Sequence, residues 1–144
     1  MTVRFASLGS GSKGNGTLID DGTTCIVIDL GFSIKETVRR LSRLGLSPGD
    51  VDAVLVTHEH ADHTHGIDDL RVLALHNRRR VDVYFSANCG ARLREAFGYC
   101  FSTPPGSAYP PILNAHEIAH GDTVSVDGPG GTLNIDAFDL VHGD

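Results

Sequence analysis

The chain has 144 residues and a mass of 15.3 kDa, with 40% hydrophobic and 21% charged residues. This composition is typical of one soluble globular domain and excludes collagen, coiled coils and disordered chains. The formal net charge of −6 at pH 7 argues against binding of nucleic acid through bulk charge, although a local basic patch stays open.

The sequence also indicates the cellular compartment. The longest apolar runs are far shorter than the ~20 residues of a membrane-spanning helix, and the N-terminus lacks a signal-peptide pattern. Cys25, Cys89 and Cys100 form neither a CxxC pair nor an even-numbered framework, which favours buried free thiols over disulfides. We therefore expect a cytoplasmic protein that contacts no membrane.

The first half of the chain predicts four strands and one long helix. The strand candidates lie at residues 3–8, 17–19, 24–29 and 52–57. Asp21-Gly22 favours a type I′ turn between the second and third strands. Ser33 and Glu36 match a capping box that opens the helix. The apolar stripe of this helix consists of Ile34, Val38, Leu41 and Leu44.

The second half predicts a β/α alternation followed by a hairpin. Helix candidates occupy residues 69–76 and 88–97, and Ser86 is a candidate cap of the second one. Residues 102–111 are rich in proline, so we expect a surface loop there. The remaining strand candidates lie at residues 81–85, 123–126 and 132–141. Together these elements predict an α/β fold in a single domain.

The glycine-rich loop after the first strand has three interpretations. Gly9, Gly11 and Gly14 satisfy the dinucleotide pattern G-x-G-x-x-G, and Asp29 follows Gly9 by twenty residues. That site requires a helix starting inside the motif, and the few residues before the strand at 24–29 leave no room for one. We therefore disfavour nucleotide binding by this motif. A tight turn between strands and a loop that borders an active site stay open as equal alternatives.

A histidine cluster follows the strand at residues 52–57. Of the eight histidines, four lie between His58 and His65, and His58, His60, Asp62 and His63 form the pattern H-x-H-x-D-H. On an extended backbone His58 and His60 project to the same side. Imidazole and carboxylate donors together suit zinc, manganese or iron. We therefore predict a metal site at the end of this strand, with a solvated surface run or adventitious metal binding as alternatives.

The remaining histidines carry weaker expectations. His142 ends the last strand candidate and is expected to approach the metals, whereas His65 is either a supporting residue or exposed. His76 is expected at a solvated helix end. His116 and His120 are expected at the surface near a turn.

The cluster, with the upstream hairpin that ends in Ile28-Asp29-Leu30-Gly31, resembles the metallo-β-lactamase fold superfamily. Residues 1–63, which contain GSGSKGN, are similar to bacterial exonuclease-like hydrolases. From residue 63 onward, THGIDDLR, PPGSAYPP and the final HGD are similar to phosphoribosyl cyclic-phosphate phosphodiesterases. The resemblance implies a four-layer αββα sandwich, of which residues 1–144 would form the N-terminal part of one domain that is incomplete at its C-terminus.

The resemblance also implies two metal ions, zinc or manganese. His58, His60 and His142 would bind the first ion, and Asp62 and His63 the second. Asp29 would steady the ligand loop, since ligating histidines need carboxylate partners. A bridging Asp and a final His of the family would lie beyond Asp144.

The implied function is a metal-dependent hydrolase, and specifically a phosphodiesterase that acts on a cyclic sugar phosphate or a nucleotide. A metal-activated water would attack phosphorus, and Asp62 would orient that water as the catalytic residue. β-Lactam or thioester hydrolysis is a weaker alternative. The alternative from another class is a truncated metal-binding half domain with little or no catalysis. Its open strand edge after Val141 would favour pairing with a second copy, so a homodimer is included among the expected partners.

Overall fold

A mixed six-stranded sheet organises the computed structural model, which describes residues 2–141. Its spatial order follows the chain, with antiparallel pairing among the first three strands and parallel pairing from the third to the sixth. The strands are β1 (Arg4–Gly9), β2 (Gly16–Asp20), β3 (Cys25–Ile28), β4 (Ala53–Leu55), β5 (Val81–Phe85) and β6 (Leu113–Glu117).

The helices connect the parallel strands and pack on one face of the sheet. They are α1 (Ile34–Arg43), α2 (Ala61–Thr64), α3 (Arg71–Asn77) and α4 (Ala87–Phe101). Short 3-10 turns lie at Pro48–Asp50 and Asp68–Leu70. Leu41, Leu73 and Leu93 project from three of these helices into one core with Val54 of β4. Among the described residues, none of the helices is long and apolar enough to cross a membrane.

A two-stranded sheet covers the opposite face of the large one. It is formed by β7 (Thr123–Gly128) and β8 (Gly131–Asp136). Val124 and Leu133 of this hairpin pack with Ile26, Ala53 and Leu55 of the central strands. Both faces of β3 and β4 are therefore buried, which explains why their sequences are continuously apolar.

The predicted α/β metallo-β-lactamase architecture is thus confirmed for a helix layer, a large sheet and a second sheet. The second helix layer of an αββα sandwich is not present within residues 2–141. The loop at residues 102–111 and the cap at Ser86, which accepts a hydrogen bond from the amide of Cys89, are also confirmed.

Several local predictions are wrong. Ser33 lies at the N-cap of α1 but its side chain accepts no capping hydrogen bond. Asp69 instead accepts from the amide of Ile34 at 2.8 Å, and Glu36 binds Arg39 and Arg40. A carboxylate from a neighbouring element has thus replaced the local cap.

The turn and strand boundaries differ as well. Gly22 has a φ of +98°, but Asp21 does not share the positive φ that a type I′ turn needs at both central residues. The side chain of Asp21 accepts from the amides of Thr23 and Thr24 and shapes a longer connection. The last strand ends at Asp136 rather than at residue 141. Strand β6 was not predicted.

Candidate metal centre

Two loops meet at the carboxyl edge of the large sheet. Because β3 and β4 are parallel, the residues that follow them emerge side by side. The amide of Asp29 donates to the carbonyl of Leu55 at 2.8 Å, and the amide of Leu30 donates to the carbonyl of His63 at 2.7 Å. The histidine cluster therefore lies at a strand-end position, as predicted, and Asp29 lies directly against it.

Asp29 holds the two ends of the histidine loop together. Its carboxylate accepts hydrogen bonds from the amide and hydroxyl of Thr57, both at 2.8 Å, and from Nδ1 of His63 at 2.7 Å. The residue is buried and has a φ of +63°, a left-handed conformation that Asp tolerates better than most side chains. These contacts place Asp29 where a residue that steadies this loop is expected, and its role toward metal ligands stays a prediction.

The same carboxylate determines which imidazole nitrogens carry hydrogen. Asp29 only accepts, so Nδ1 of His63 must donate to it, and in the neutral ring Nε2 then carries the lone pair. The hydroxyl of Thr57 donates to Asp29 and lies 2.9 Å from Nδ1 of His58, so that nitrogen donates to the hydroxyl oxygen. In both neutral rings the hydrogen therefore lies on Nδ1 and the lone pair on Nε2. In this tautomer Nε2 can bind a metal.

Asn15, which was not predicted as a site residue, also belongs to the site. Its side-chain amide donates to Oδ2 of Asp62 at 2.7 Å and lies 3.1 Å from Nε2 of His63. Its backbone amide donates to the carbonyl of Asp62 at 2.7 Å. The glycine-rich loop is thus both a connection between β1 and β2 and a border of the site. A sequence signal for Asn15 was available, because it lies in the glycine-rich loop that was a candidate border of an active site.

Gly31 lies close to the backbone of both Asp62 in the histidine loop and Asn15 in the glycine-rich loop. Its amide donates to the carbonyl of Asn15 at 3.0 Å. A Cβ at this position would overlap the carbonyl of Asp62 and come within 2.6 Å of the backbone nitrogen of Asn15. A larger residue would therefore push the glycine-rich loop away from Asp62.

The structure brings four of the five predicted ligands together. The ring centroid of His58 lies 4.6 Å from that of His60 and 3.9 Å from that of His63. Oδ2 of Asp62 lies 3.5 Å from Nε2 of His63. The fifth, His142, lies outside the described residues.

The donor set fits a metal by its chemistry, since three imidazoles and a carboxylate are typical zinc ligands. Within residues 2–141, however, no three His, Cys, Asp or Glu side chains are arranged as a ready-made cation site. The side chains are gathered but would need rotation to share one ion.

His65 lies at the C-cap of α2, directly after the predicted ligands, and the remaining histidines lie further along the chain. His65 and His76 are exposed, and His76 lies in the last turn of α3, as predicted. His116 lies within β6 rather than near a turn, 2.7 Å from Asp82 and stacked on Tyr84. His120 accepts from the amide of Asp139 at 3.0 Å.

Comparison with known proteins supports this description. The family model described as "Beta-lactamase superfamily domain" matches residues 24–144. The chain is 38% identical over 64 residues to exodeoxyribonuclease WalJ of Streptococcus pneumoniae serotype 2, covering 44% of this chain and 24% of the relative. It is 41% identical over 66 residues to ribonuclease Z of Methanopyrus kandleri, covering 44% of this chain and 23% of the relative.

A solved structure has the same fold. The metallo-β-lactamase MIM-2 superimposes with a TM-score of 0.62 and 21% identity, covering 94% of this chain and 48% of that chain. The chain therefore spans about half of the solved structure and about a quarter of the curated relatives. From the family match and the fold, we conclude that the chain belongs to the beta-lactamase superfamily and has the metallo-β-lactamase fold.

Proposed function

We propose that this chain forms part of a metal-dependent hydrolase that cleaves phosphodiester bonds. The observation that carries the proposal is the Asp29 carboxylate, which binds both Thr57 and His63 and so gathers the H-x-H-x-D-H side chains at one sheet edge. Carboxylates that orient histidines in this way accompany metal ligands.

The resemblance to the superfamily implies which residues would hold the metals. His58 and His60, with His142, would bind one ion, and Asp62 and His63 would bind a second. Zinc or manganese would supply Lewis-acid chemistry, which polarises phosphoryl oxygens and makes water more acidic. The Nε2 lone pairs of His58 and His63 suit this role because hydrogen bonds already occupy both Nδ1 atoms.

Asp62 would also orient the attacking water. Its side chain is 33% exposed, so water and substrate reach the carboxylate. One carboxylate oxygen accepts from Asn15, which fixes the plane of the group. A carboxylate held in this way would accept a hydrogen bond from the water and direct its lone pair towards phosphorus.

The substrate class is a phosphate diester in a nucleotide or a cyclic sugar phosphate. Two relatives carry the names of an exodeoxyribonuclease and a ribonuclease, and both names denote cleavage of phosphodiester bonds. The net charge of −6 favours a small phosphate ester over a long nucleic acid, which would be repelled.

The test is hydrolysis of bis-p-nitrophenyl phosphate by the purified chain after addition of zinc or manganese. We expect metal-dependent release of nitrophenol that is lost in a His58→Ala/His60→Ala variant. His65→Ala is the matched control, because His65 lies in the same stretch but is exposed. Equal turnover by the double variant would contradict the proposal.

A second candidate is metal binding with little or no turnover by this chain. It is favoured by the donor set itself, because the gathered side chains of His58, His60, Asp62 and His63 suit metal binding whether or not hydrolysis follows. Near-stoichiometric metal without hydrolysis would support this candidate. The homodimer expected from an open strand edge after Val141 belongs to the same candidate. Size-exclusion chromatography would detect it.

A further inference from the structure

We propose that α3 and the turn after it form a docking surface for the second sheet of another copy of this chain. The inference goes beyond the proposed function, because it uses neither the histidine cluster nor a metal. The occupant is the β7–β8 hairpin together with residues 138–140. The docking surface consists of Arg71, Val72, Leu75, Arg78 and Arg80.

The charges of these two parts of the chain are of opposite sign. Residues 71–80 contain four arginines and no Asp or Glu, whereas residues 118–141 contain four aspartates and no Lys or Arg. The four aspartates are all exposed, and they are Asp122, Asp127, Asp136 and Asp139. Electrostatic attraction therefore favours contact between the docking surface and the hairpin, while like surfaces repel each other.

The arginines of the docking surface are available to an acidic partner. Arg79 pairs with Asp52 at 3.1 Å. Within residues 2–141, no ion pair is formed by Arg71, Arg78 or Arg80. Arg78 and Arg80 are also exposed. A free guanidinium can bind a carboxylate through two parallel hydrogen bonds, so these side chains suit the aspartates of the hairpin.

Both surfaces also carry exposed apolar side chains. On α3, Val72 is 47% exposed and Leu75 is 68% exposed. After β8, Phe138 is 66% exposed and Leu140 is 78% exposed. Contact between these side chains would remove apolar area from water on both copies. Apolar side chains beside charged ones are the usual composition of a specific interface, with the charges at its rim.

The fold keeps the two surfaces apart within one chain. Helix α3 packs on one face of the large sheet through Leu73, and the hairpin packs on the opposite face through Val124 and Leu133. The acidic hairpin can therefore reach an α3 only in another copy, which makes the contact heterologous. The chain supplies both halves of the contact, so a second copy is the occupant that its charges favour.

Sedimentation equilibrium of the full chain in EDTA tests the contact, at concentrations from about 10 µM to about 1 mM. We expect the mean mass of the wild type to rise above 15.3 kDa as the concentration increases. Association should weaken by about 10-fold or more in about 1 M NaCl, where the Debye length falls to about 3 Å.

Charge reversal identifies the surfaces involved. Arg78→Glu/Arg80→Glu should remove measurable self-association, and so should Asp136→Lys/Asp139→Lys, because each variant then carries the same sign of charge on both surfaces. All four positions are exposed, so the fold should be retained. An equimolar mixture of the two variants should associate again, because opposite charges then meet between the two kinds of chain.

Lys35→Glu/Arg43→Glu is the matched control, since it makes the same change in net charge at exposed positions of α1. We expect this control to associate like the wild type. A wild type that stays monomeric, a control that loses association equally, or a mixture that stays monomeric would overturn the docking surface. Association that persists in the reversed variants and in high salt would also overturn it, and would indicate pairing along a strand edge instead.

Discussion

The carboxylate of Asp29 accepts a hydrogen bond from Nδ1 of His63 at 2.7 Å across the carboxyl edge of the sheet. Asp29 follows β3 and His63 lies in α2, so one contact joins the hairpin to the histidine loop. The same carboxylate holds Thr57 at the start of that loop. The geometry of the candidate metal centre therefore depends on a residue outside the H-x-H-x-D-H motif.

Replacement of Asp29 by Asn tests this dependence. Asn keeps the size of Asp and also tolerates a positive φ, so the backbone is retained. One carboxylate oxygen is replaced by an NH2 group, which cannot accept a hydrogen bond, so the contacts with Thr57 and His63 are no longer both retained. We expect metal affinity to fall by about 10-fold to 100-fold. Metal titration of the purified variant measures this.

The control for Asp29→Asn is Asp82→Asn, which removes another carboxylate that lies 2.7 Å from a histidine, His116. We expect metal affinity to be unchanged in the control. Equal affinities for Asp29→Asn and the wild type would show that Asp29 does not orient the cluster.

The hydroxyl of Thr57 connects Asp29 to His58. Thr57→Val keeps the shape but removes this hydroxyl, whereas Thr57→Ser retains it. We expect Thr57→Val to lower the free energy of unfolding by about 1 kcal/mol and to weaken metal binding. Thr57→Ser should retain the metal affinity of the wild type, and urea unfolding with metal titration measures both effects. Unchanged metal affinity in Thr57→Val would contradict this role of the hydroxyl, and so would a loss in Thr57→Ser as large as that in Thr57→Val, because Ser keeps the hydroxyl.

Gly31 tests the contact between the glycine-rich loop and Asp62. We expect Gly31→Ala to disrupt folding or metal binding, because its Cβ would overlap the carbonyl of Asp62. Gly98→Ala is the matched control in α4, where nothing lies within 4 Å of an added Cβ. Helix propensity predicts that the control is stabilised by about 1 kcal/mol. Thermal melting compares the two, and a Gly31→Ala variant as stable as wild type would contradict the described packing.

The thiols provide a test of the core. Burial, reinforced by the carboxylates of Asp20 and Asp52, raises the pKa of Cys25 to about 12. Burial likewise raises the pKa of Cys89 to about 11 and that of Cys100 to about 12. At pH 8 we expect slow reaction with a disulfide reagent in the folded chain and fast reaction in urea.

The same shifts predict how stability depends on pH. Thiols in the unfolded chain ionise near pH 8.5, whereas the buried thiols stay protonated. The free energy of unfolding should therefore decrease as the pH rises above about 8.5, because ionisation favours the unfolded chain. Urea unfolding at pH 7 and pH 10 measures this. Thiols that react as fast in the folded chain as in urea would contradict the burial of the three cysteines, on which both predictions rest.

The sequence predicted those elements whose signals are local or periodic. The apolar runs of β3 and β4 and the H-x-H-x-D-H motif were sufficient to place the cluster at a strand end. Strand β6 has one fully buried apolar residue, Leu113, and the four residues after it, Asn-Ala-His-Glu, are half-buried or exposed, so it carries little strand signal. It forms because β5 provides a partner edge.

The parts that the sequence did not predict depend on long-range contacts. Asp69 caps α1 from 35 residues away and displaces the local capping box. Asn15 reaches Asp62 across 47 residues, which no spacing rule detects. Asp29 was predicted only through the family resemblance, and its contacts with Thr57 and His63 were found in the structure.

Metal binding by the gathered side chains of the histidine cluster underlies the proposed function. The most direct measurement is zinc content after loading and gel filtration, for the wild type and for His58→Ala/His60→Ala. We expect near-stoichiometric zinc in the wild type and loss of most of it in the double variant, with His65→Ala unchanged. Zinc-free wild type, or equal zinc in the double variant, would contradict metal binding by this cluster.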